Sequence, residues 1–248
     1  MNKIMQLYRD NAQRPKQFAT LVNVAGDTAT IYLYDMISAD WGVSALSVIE
    51  AIAQAGDAKI LNVHINSPGG DVFEGRAIMA ALSAFKGKTV ARIDSLCASA
   101  ATSIALACDE VVMADGAFFM IHNASGMAWG DKQTLRDTAD VLEKVEGAIV
   151  SDYMQKTGKE ESEIRALMDA ETWFTANEAM EHGFVDALDK GKKATNTWNL
   201  SAFAKAPKVE IAPEPQPEVT DTSTLEPAQA GFLMSSANAN RLRILTIA

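Results

Sequence analysis

The sequence predicts an α/β fold built on a largely parallel sheet. Three observations carry that expectation. Short apolar runs of strand length alternate with longer stretches whose apolar residues recur at helical spacing. Turn-forming glycines, among them Gly26, Gly56 and Gly183, punctuate the alternation. Hydrophobic residues make up 48% of the 248 and charged residues 22%, a balance that fills a packed core.

The elements follow in order. Residues 19–35 alternate apolar and polar side chains around Gly26-Asp27 and predict a hairpin-like pair of strands. Val43, Leu46, Val48, Ile49 and Ile52 share one helical face over 43–56, with Gly56 as the stop. A strand over 60–66 runs into Ser67-Pro68-Gly69-Gly70 and an amphipathic helix over 71–85. A strand over 89–94 precedes a buried helix over 99–108, and two further strands cover 110–113 and 118–121. A long helix spans 132–157, with Leu135, Thr138, Val141, Leu142, Val145, Ile149 and Tyr153 on one face. A short helix near 160–168, a strand near 172–175 and a helix over 176–182 complete the series.

Composition then changes. Residues 206–230 hold five of the seven prolines and few large apolar side chains, the signature of a disordered linker. The expected organisation is an N-terminal segment (1–18), one domain (19–204), a Pro-rich acidic linker (205–230) and a tail (231–248).

Charge and chemistry narrow the function. A net charge of −10 argues against a nucleic-acid binder and against docking on anionic membranes. Cys97 and Cys108 are too few for a disulfide framework or a zinc cluster, and read as buried thiols. No run approaches the ~20 apolar residues of a membrane helix. The first ten residues lack a signal-peptide core, so a cytoplasmic protein is expected. No phosphate-binding motif is present, and no metal or other cofactor is expected.

Three segments carry candidate chemistry. Asn66-Ser67-Pro68-Gly69-Gly70-Asp71 lies between a strand and a helix, where paired glycines let backbone amides approach an anionic oxygen. An ordinary strand-to-helix turn explains it equally well. Ala98-Ser99-Ala100-Ala101 exposes a serine hydroxyl among small residues, with the Ala100 amide beside it. Close helix packing is the plain alternative, and Ser95 and Ser103 are rival nucleophiles. Phe118-Phe119-Met120-Ile121-His122 is a strand ending in one of only three histidines. His64 sits within an apolar strand and His182 at a helix C-terminus, where structural roles are ordinary. His122 is the one at a strand end, where active sites gather, and a serine needs such a base.

In order along the chain, Ser67-Pro68-Gly69-Gly70, Ala98-Ser99-Ala100-Ala101 and Met120-Ile121-His122 resemble the proteolytic subunit of the Clp protease (ClpP). The likeness runs from about residue 28 to 189 and includes the helix-turn over 177–186. Residues 31–34, 41–43, 69–73 and 171–174 look like the phage- and prophage-encoded head maturation proteases of this family. The resemblance implies a ClpP/crotonase-like spiral of ββα units with a protruding handle helix over 132–157. It implies self-association into stacked rings, typically heptameric.

By that resemblance Ser99 is the nucleophile, His122 the base, and the Gly70 and Ala100 amides the oxyanion hole, with Gly69 shaping the turn. The housekeeping enzymes carry a triad aspartate two residues before a phenylalanine, where this chain has Thr172; Asp169 and Glu171 are the nearby carboxylates. The expected role is cleavage of phage scaffold, portal or capsid precursors in the host cytoplasm, including the assembling prohead. The alternatives are a degradation subunit working with a Clp ATPase, an acyl-CoA-handling relative and a non-catalytic one.

Overall fold

The computed structural model describes residues 3–14, 20–194 and 198–207. The hairpin forms as β1 (Thr20–Ala25) and β2 (Thr28–Leu33), antiparallel about Gly26, whose φ of 61° suits glycine. Helix α2 (Ala45–Gln54) is capped by Ser44, whose hydroxyl accepts from the Ser47 amide at 3.1 Å. Strand β3 (Ile60–Ser67) pairs in parallel with β2 and leads to α3 (Val72–Ser83), capped by the Asp71 carboxylate. Strand β4 (Lys88–Ala98) pairs in parallel with β3 and turns at Ser99 into α4 (Ala100–Leu106). Then come β5 (Glu110–Asp115), β6 (Phe118–Ile121), α5 (Lys132–Thr157) and α6 (Glu161–Asp169). They are followed by β7 (Thr172–Thr175), α7 (Ala176–Glu181) and β8 (Ala187–Lys193).

The main sheet runs β1-β2-β3-β4-β5-β8, parallel except for its first pair. Strand β4 forks. Its residues 90–93 pair with β5, and 96–98 pair with β6, which pairs antiparallel with β7. The predicted strand over 89–94 is therefore extended to Ala98, because residues 96–98 have a partner of their own in β6.

Alternation along the strands separates two faces. Ile31, Leu33, Leu61, Val63, Ile65, Ala91 and Ile93 point into the principal core. The opposite face carries Tyr32, Asn62, His64, Arg92 and Asp94, which belong to the register rows Tyr32–His64–Arg92 and their neighbours. A second apolar cluster on the β4–β6 side joins Met36, Leu96, Met120 and Trp198 to Leu7 and Phe203.

Three parts carried no predicted element. Helix α1 (Lys3–Asp10) has Leu7 as its one buried side chain among the described residues, and β8 reads Ala-Leu-Asp-Lys-Gly-Lys-Lys, a charged edge strand without alternation. Residues 198–203 are irregular yet packed, with Trp198 Nε1 donating to Asn66 Oδ1 at 3.0 Å. Most of the proposed linker and all of the tail lie outside the described residues. Helix α5, 26 residues and so about 39 Å long, buries only Ile149, Val150 and Tyr153, all in its last third. Its N-terminal part leaves Leu135 and Val141 half-exposed on the face predicted to be apolar.

Candidate active site

The fork in β4 delivers Ser99 to a corner between two sheet branches. Its amide donates to the Met120 carbonyl of β6 at 2.9 Å, and its carbonyl accepts from the Thr102 amide at 2.9 Å and the Thr102 hydroxyl at 2.6 Å. Between these anchors Ser99 takes φ 55° and ψ −128°, a region that side chains avoid. Thr102 commits its one hydroxyl hydrogen to Ser99, so Tyr153 Oη is the donor in the 2.6 Å contact between the two hydroxyls. Burial pushes the Tyr153 phenol above its ordinary value, which keeps that proton in place.

His122 follows the last residue of β6 and brings Nε2 to 2.8 Å from Ser99 Oγ. Its ring meets Phe203 edge-on, with centroids 5.8 Å apart. The Ser67-to-Asp71 turn closes the third side. Ile37 donates its amide to the Gly69 carbonyl (2.9 Å) and accepts from the Asp71 amide (2.8 Å), while the Gly69 amide donates to Ser67 Oγ (3.2 Å). The Gly70 amide between them takes no hydrogen bond among the described residues. The Ala100 amide, in the first turn of α4, is likewise without an intrahelical acceptor. Both glycines are required where they are: at Gly69 a Cβ would meet the Ala98 carbonyl oxygen at 2.5 Å, and at Gly70 the Ile37 carbonyl oxygen at 2.1 Å. One cleft is lined by Gly70, Ser99, Ala100 and His122 together, with α3 and α5 forming its far wall.

The candidate third partner stands differently. Thr172 pairs with Ile121 in the β6–β7 register, one residue from His122, and its hydroxyl donates to the Leu167 carbonyl at 2.6 Å. Asp169 accepts from Asn123 Nδ2 at 2.7 Å. Glu171, at φ 49°, accepts the Lys205 amide at 2.9 Å.

The other candidates have structural surroundings. Ser95 is buried in β4, and Ser103 lies one turn into α4. His182 caps α7 and packs on Phe174, 4.9 Å between centroids. His64 Nδ1 is 2.5 Å from Asp94 Oδ2, its ring stacks on Tyr32, and Tyr34 Oη donates to the same carboxylate. Burial pulls the Asp94 carboxyl upward, but the bonds from His64 and Tyr34, with Lys192 nearby, outweigh it and hold it below its ordinary value. Cys97 and Cys108 are buried free thiols; burial raises Cys97 well above the ordinary range and pushes Cys108 up to about 12, so neither offers a thiolate at neutral pH. Among the described residues no cluster of His, Cys, Asp or Glu could hold a metal, and no helix is long and apolar enough to cross a membrane.

Residues 13–191 match the family model for Clp protease. The chain belongs to the Clp protease family. The ATP-dependent Clp protease proteolytic subunit 1 of Protochlamydia amoebophila is 26% identical over 166 residues, covering 65% of this chain and 81% of that protein. The corresponding subunit of Chlamydia muridarum is 30% identical over 128 residues, 50% of this chain and 67% of the relative. The Streptococcus pneumoniae proteolytic subunit is 28% identical over 134 residues, 52% and 68%. A solved ClpP1 mutant from Listeria monocytogenes shares the fold at a TM-score of 0.59 and 22% identity, over 65% of this chain and 91% of its own. The protein is thus a serine-type peptidase with the α/β fold of the Clp proteolytic subunits.

The sequence singled out Ser99, His122, Gly70 and Ala100, and they line one cleft. It did not single out Thr102, Tyr153 or Phe203. Tyr153 was legible only as one position on the apolar face of a long helix.

Proposed function

We propose that this Clp-family peptidase cuts peptide bonds with Ser99 as nucleophile and His122 as general base. The observation that carries the reading is the 2.8 Å contact between His122 Nε2 and the hydroxyl of a serine held at positive φ. In the acylation step the Ser99 Oγ proton passes to His122 Nε2 as Oγ bonds to the substrate carbonyl carbon. The carbonyl oxygen becomes an oxyanion, and the Gly70 and Ala100 amides hold it, each worth about 3–4 kcal/mol. His122 then gives its proton to the departing amine. Water repeats the sequence on the acyl-enzyme and frees Ser99.

Thr172 acts as a positioning residue. Its hydrogen is committed to Leu167, so its oxygen offers only lone pairs, suited to accept from His122 Nδ1–H and to set the tautomer that leaves Nε2 basic. It supplies no full charge for the imidazolium, a service worth up to about 10⁴ in turnover in a complete triad. Thr172→Asp is expected to raise kcat and to move the acid limb of the pH–rate profile upward, because a carboxylate beside the ring favours its protonated form. An acid limb that stays in place would separate Thr172 from His122.

The protomer is expected to work as a ring. Trp129, shortly before α5, is 80% exposed, and Phe73 is 70% exposed at the start of α3, apolar surfaces suited to copies of the same chain. Heptameric rings joined through α5 are the proposed assembly. The proposed substrates are phage scaffold, portal or capsid precursors in the host cytoplasm. The support is the set of residues resembling the head maturation branch and the Pro-rich acidic stretch over 206–230, which suits a tether into an assembling shell. The second reading, a degradation subunit served by a Clp ATPase, is favoured by the names of the relatives.

Co-expression with the candidate structural proteins decides between them. New termini mapped by mass spectrometry, present with wild type and absent with Ser99→Ala, are the expected result. Uncut structural proteins together with capture of a Clp ATPase by the full chain would replace the first role with the second.

A further inference from the structure

Arg76 is a polar group on the otherwise apolar and small-residue wall that α3 adds to the cleft beside Ser99, with Val72, Gly75 and Met79 around it. Its Nη1 lies 2.8 Å from Asp152 Oδ2, on α5. Its Nη2 is buried and has no hydrogen-bond partner among the described residues. A guanidinium N–H withdrawn from water without an acceptor is costly, and the folded chain gains nothing visible from it. The cost is recovered if substrate brings the acceptor.

The place of Arg76 says which part of the substrate that is. The cleft that holds the Ser99 hydroxyl with Gly70 and Ala100 is also lined by Val72, Gly75, Arg76 and Met79 of α3 and by Ile149 and Tyr153 of α5. It is the space open to the side chain beside a carbonyl seated on Ser99. That side chain belongs to the acyl-side residue of the scissile bond. Val72, Gly75 and Met79 offer it an apolar passage, and Arg76 offers a donor along it.

We propose that Arg76 selects acyl-side residues whose long, unbranched side chains end in an acceptor oxygen, glutamine or glutamate. This rests on the peptidase reading above and names its substrate class. Asp152 sets the balance between the two, since it cancels the guanidinium charge and lets a neutral amide compete with a carboxylate.

The test maps cut sites in an unfolded protein, reduced casein, and compares peptides that differ only at the acyl-side residue. Wild type is expected to cleave after glutamine or glutamate roughly tenfold or more faster than after leucine or norleucine, the scale of one hydrogen bond to a charged group. Arg76→Met is expected to invert that order in an enzyme whose Ser99 is still labelled by a fluorophosphonate. Asp152→Asn is expected to favour glutamate over glutamine. An Arg76→Met enzyme that labels normally and keeps the wild-type cut-site profile overturns the assignment of Arg76. A wild-type chain that neither labels nor cuts overturns the peptidase reading itself, and this inference with it.

Discussion

Ser99→Ala is expected to lower kcat on the order of 10⁵–10⁶-fold, because removing a nucleophile disables the whole catalytic unit rather than one contact. Labelling by a fluorophosphonate should vanish with it. Peptide binding and thermal stability should change little: among the described residues the hydroxyl makes one hydrogen bond, to His122, while the backbone of residue 99 is held by bonds to Met120 and Thr102 that alanine keeps. Labelling that persists would transfer the role to Ser95 or Ser103. Ser103 is the stronger rival, since it also lines the cleft.

The second large effect belongs to Gly69, which touches no substrate in this scheme. A methyl group there would stand 2.5 Å from the Ala98 carbonyl oxygen, 2.7 Å from Ser99 Cβ and 2.9 Å from the Ala100 nitrogen, on a residue at φ +85°. Backbone must move, and the atoms that must move are the nucleophile and one proposed oxyanion donor. Gly69→Ala is therefore expected to lose activity about 10³-fold or more, beyond the 10²–10³ of a single oxyanion donor. Overpacking and left-handed strain together should cost about 2–5 kcal/mol of stability. Gly26→Ala is the control, at φ +61° with nothing within 4 Å of the added methyl. It carries the conformational cost without the collision, so a melting point lowered by a few degrees and full activity are expected. Full activity in Gly69→Ala would remove the turn from the site.

Much of this was legible in the sequence, for a physical reason. Strand–helix alternation is a local property, and β2, β3 and α3 each bury one face against one core, as α5 does over its last third. The serine and histidine were found the same way, one among small residues and one at the end of an apolar run. Features that depend on distant partners were not legible. Residues 198–203 lack any period, yet Trp198 is buried because Asn66, 132 positions earlier, waits for its indole hydrogen. Among the side chains of α1 whose burial is described, Leu7 alone is buried, too few for a pattern, and Tyr8 and Asp10 meet the distant Trp41 and Ser201. The neighbours of Thr172 were equally hidden. Glu171 is adjacent in sequence, but it lies outside β7 at φ 49°, and its carboxylate meets the Lys205 amide.

The dihedrals of Ser99 bear on the history of the chain as well as its chemistry. A serine in that conformation costs about 1–3 kcal/mol relative to a residue at ease there, and the residue at ease is glycine. The chain would therefore become more stable by giving up its whole side chain at this one position. Most substitutions that improve a protein's stability leave its activity alone; here the most direct one is expected to erase it. A lineage freed from cutting peptides would have every thermodynamic reason to drift to glycine at 99. A serine held in place against that gradient is what the proposed reaction asks of the chain, at the expense of the ease of its fold.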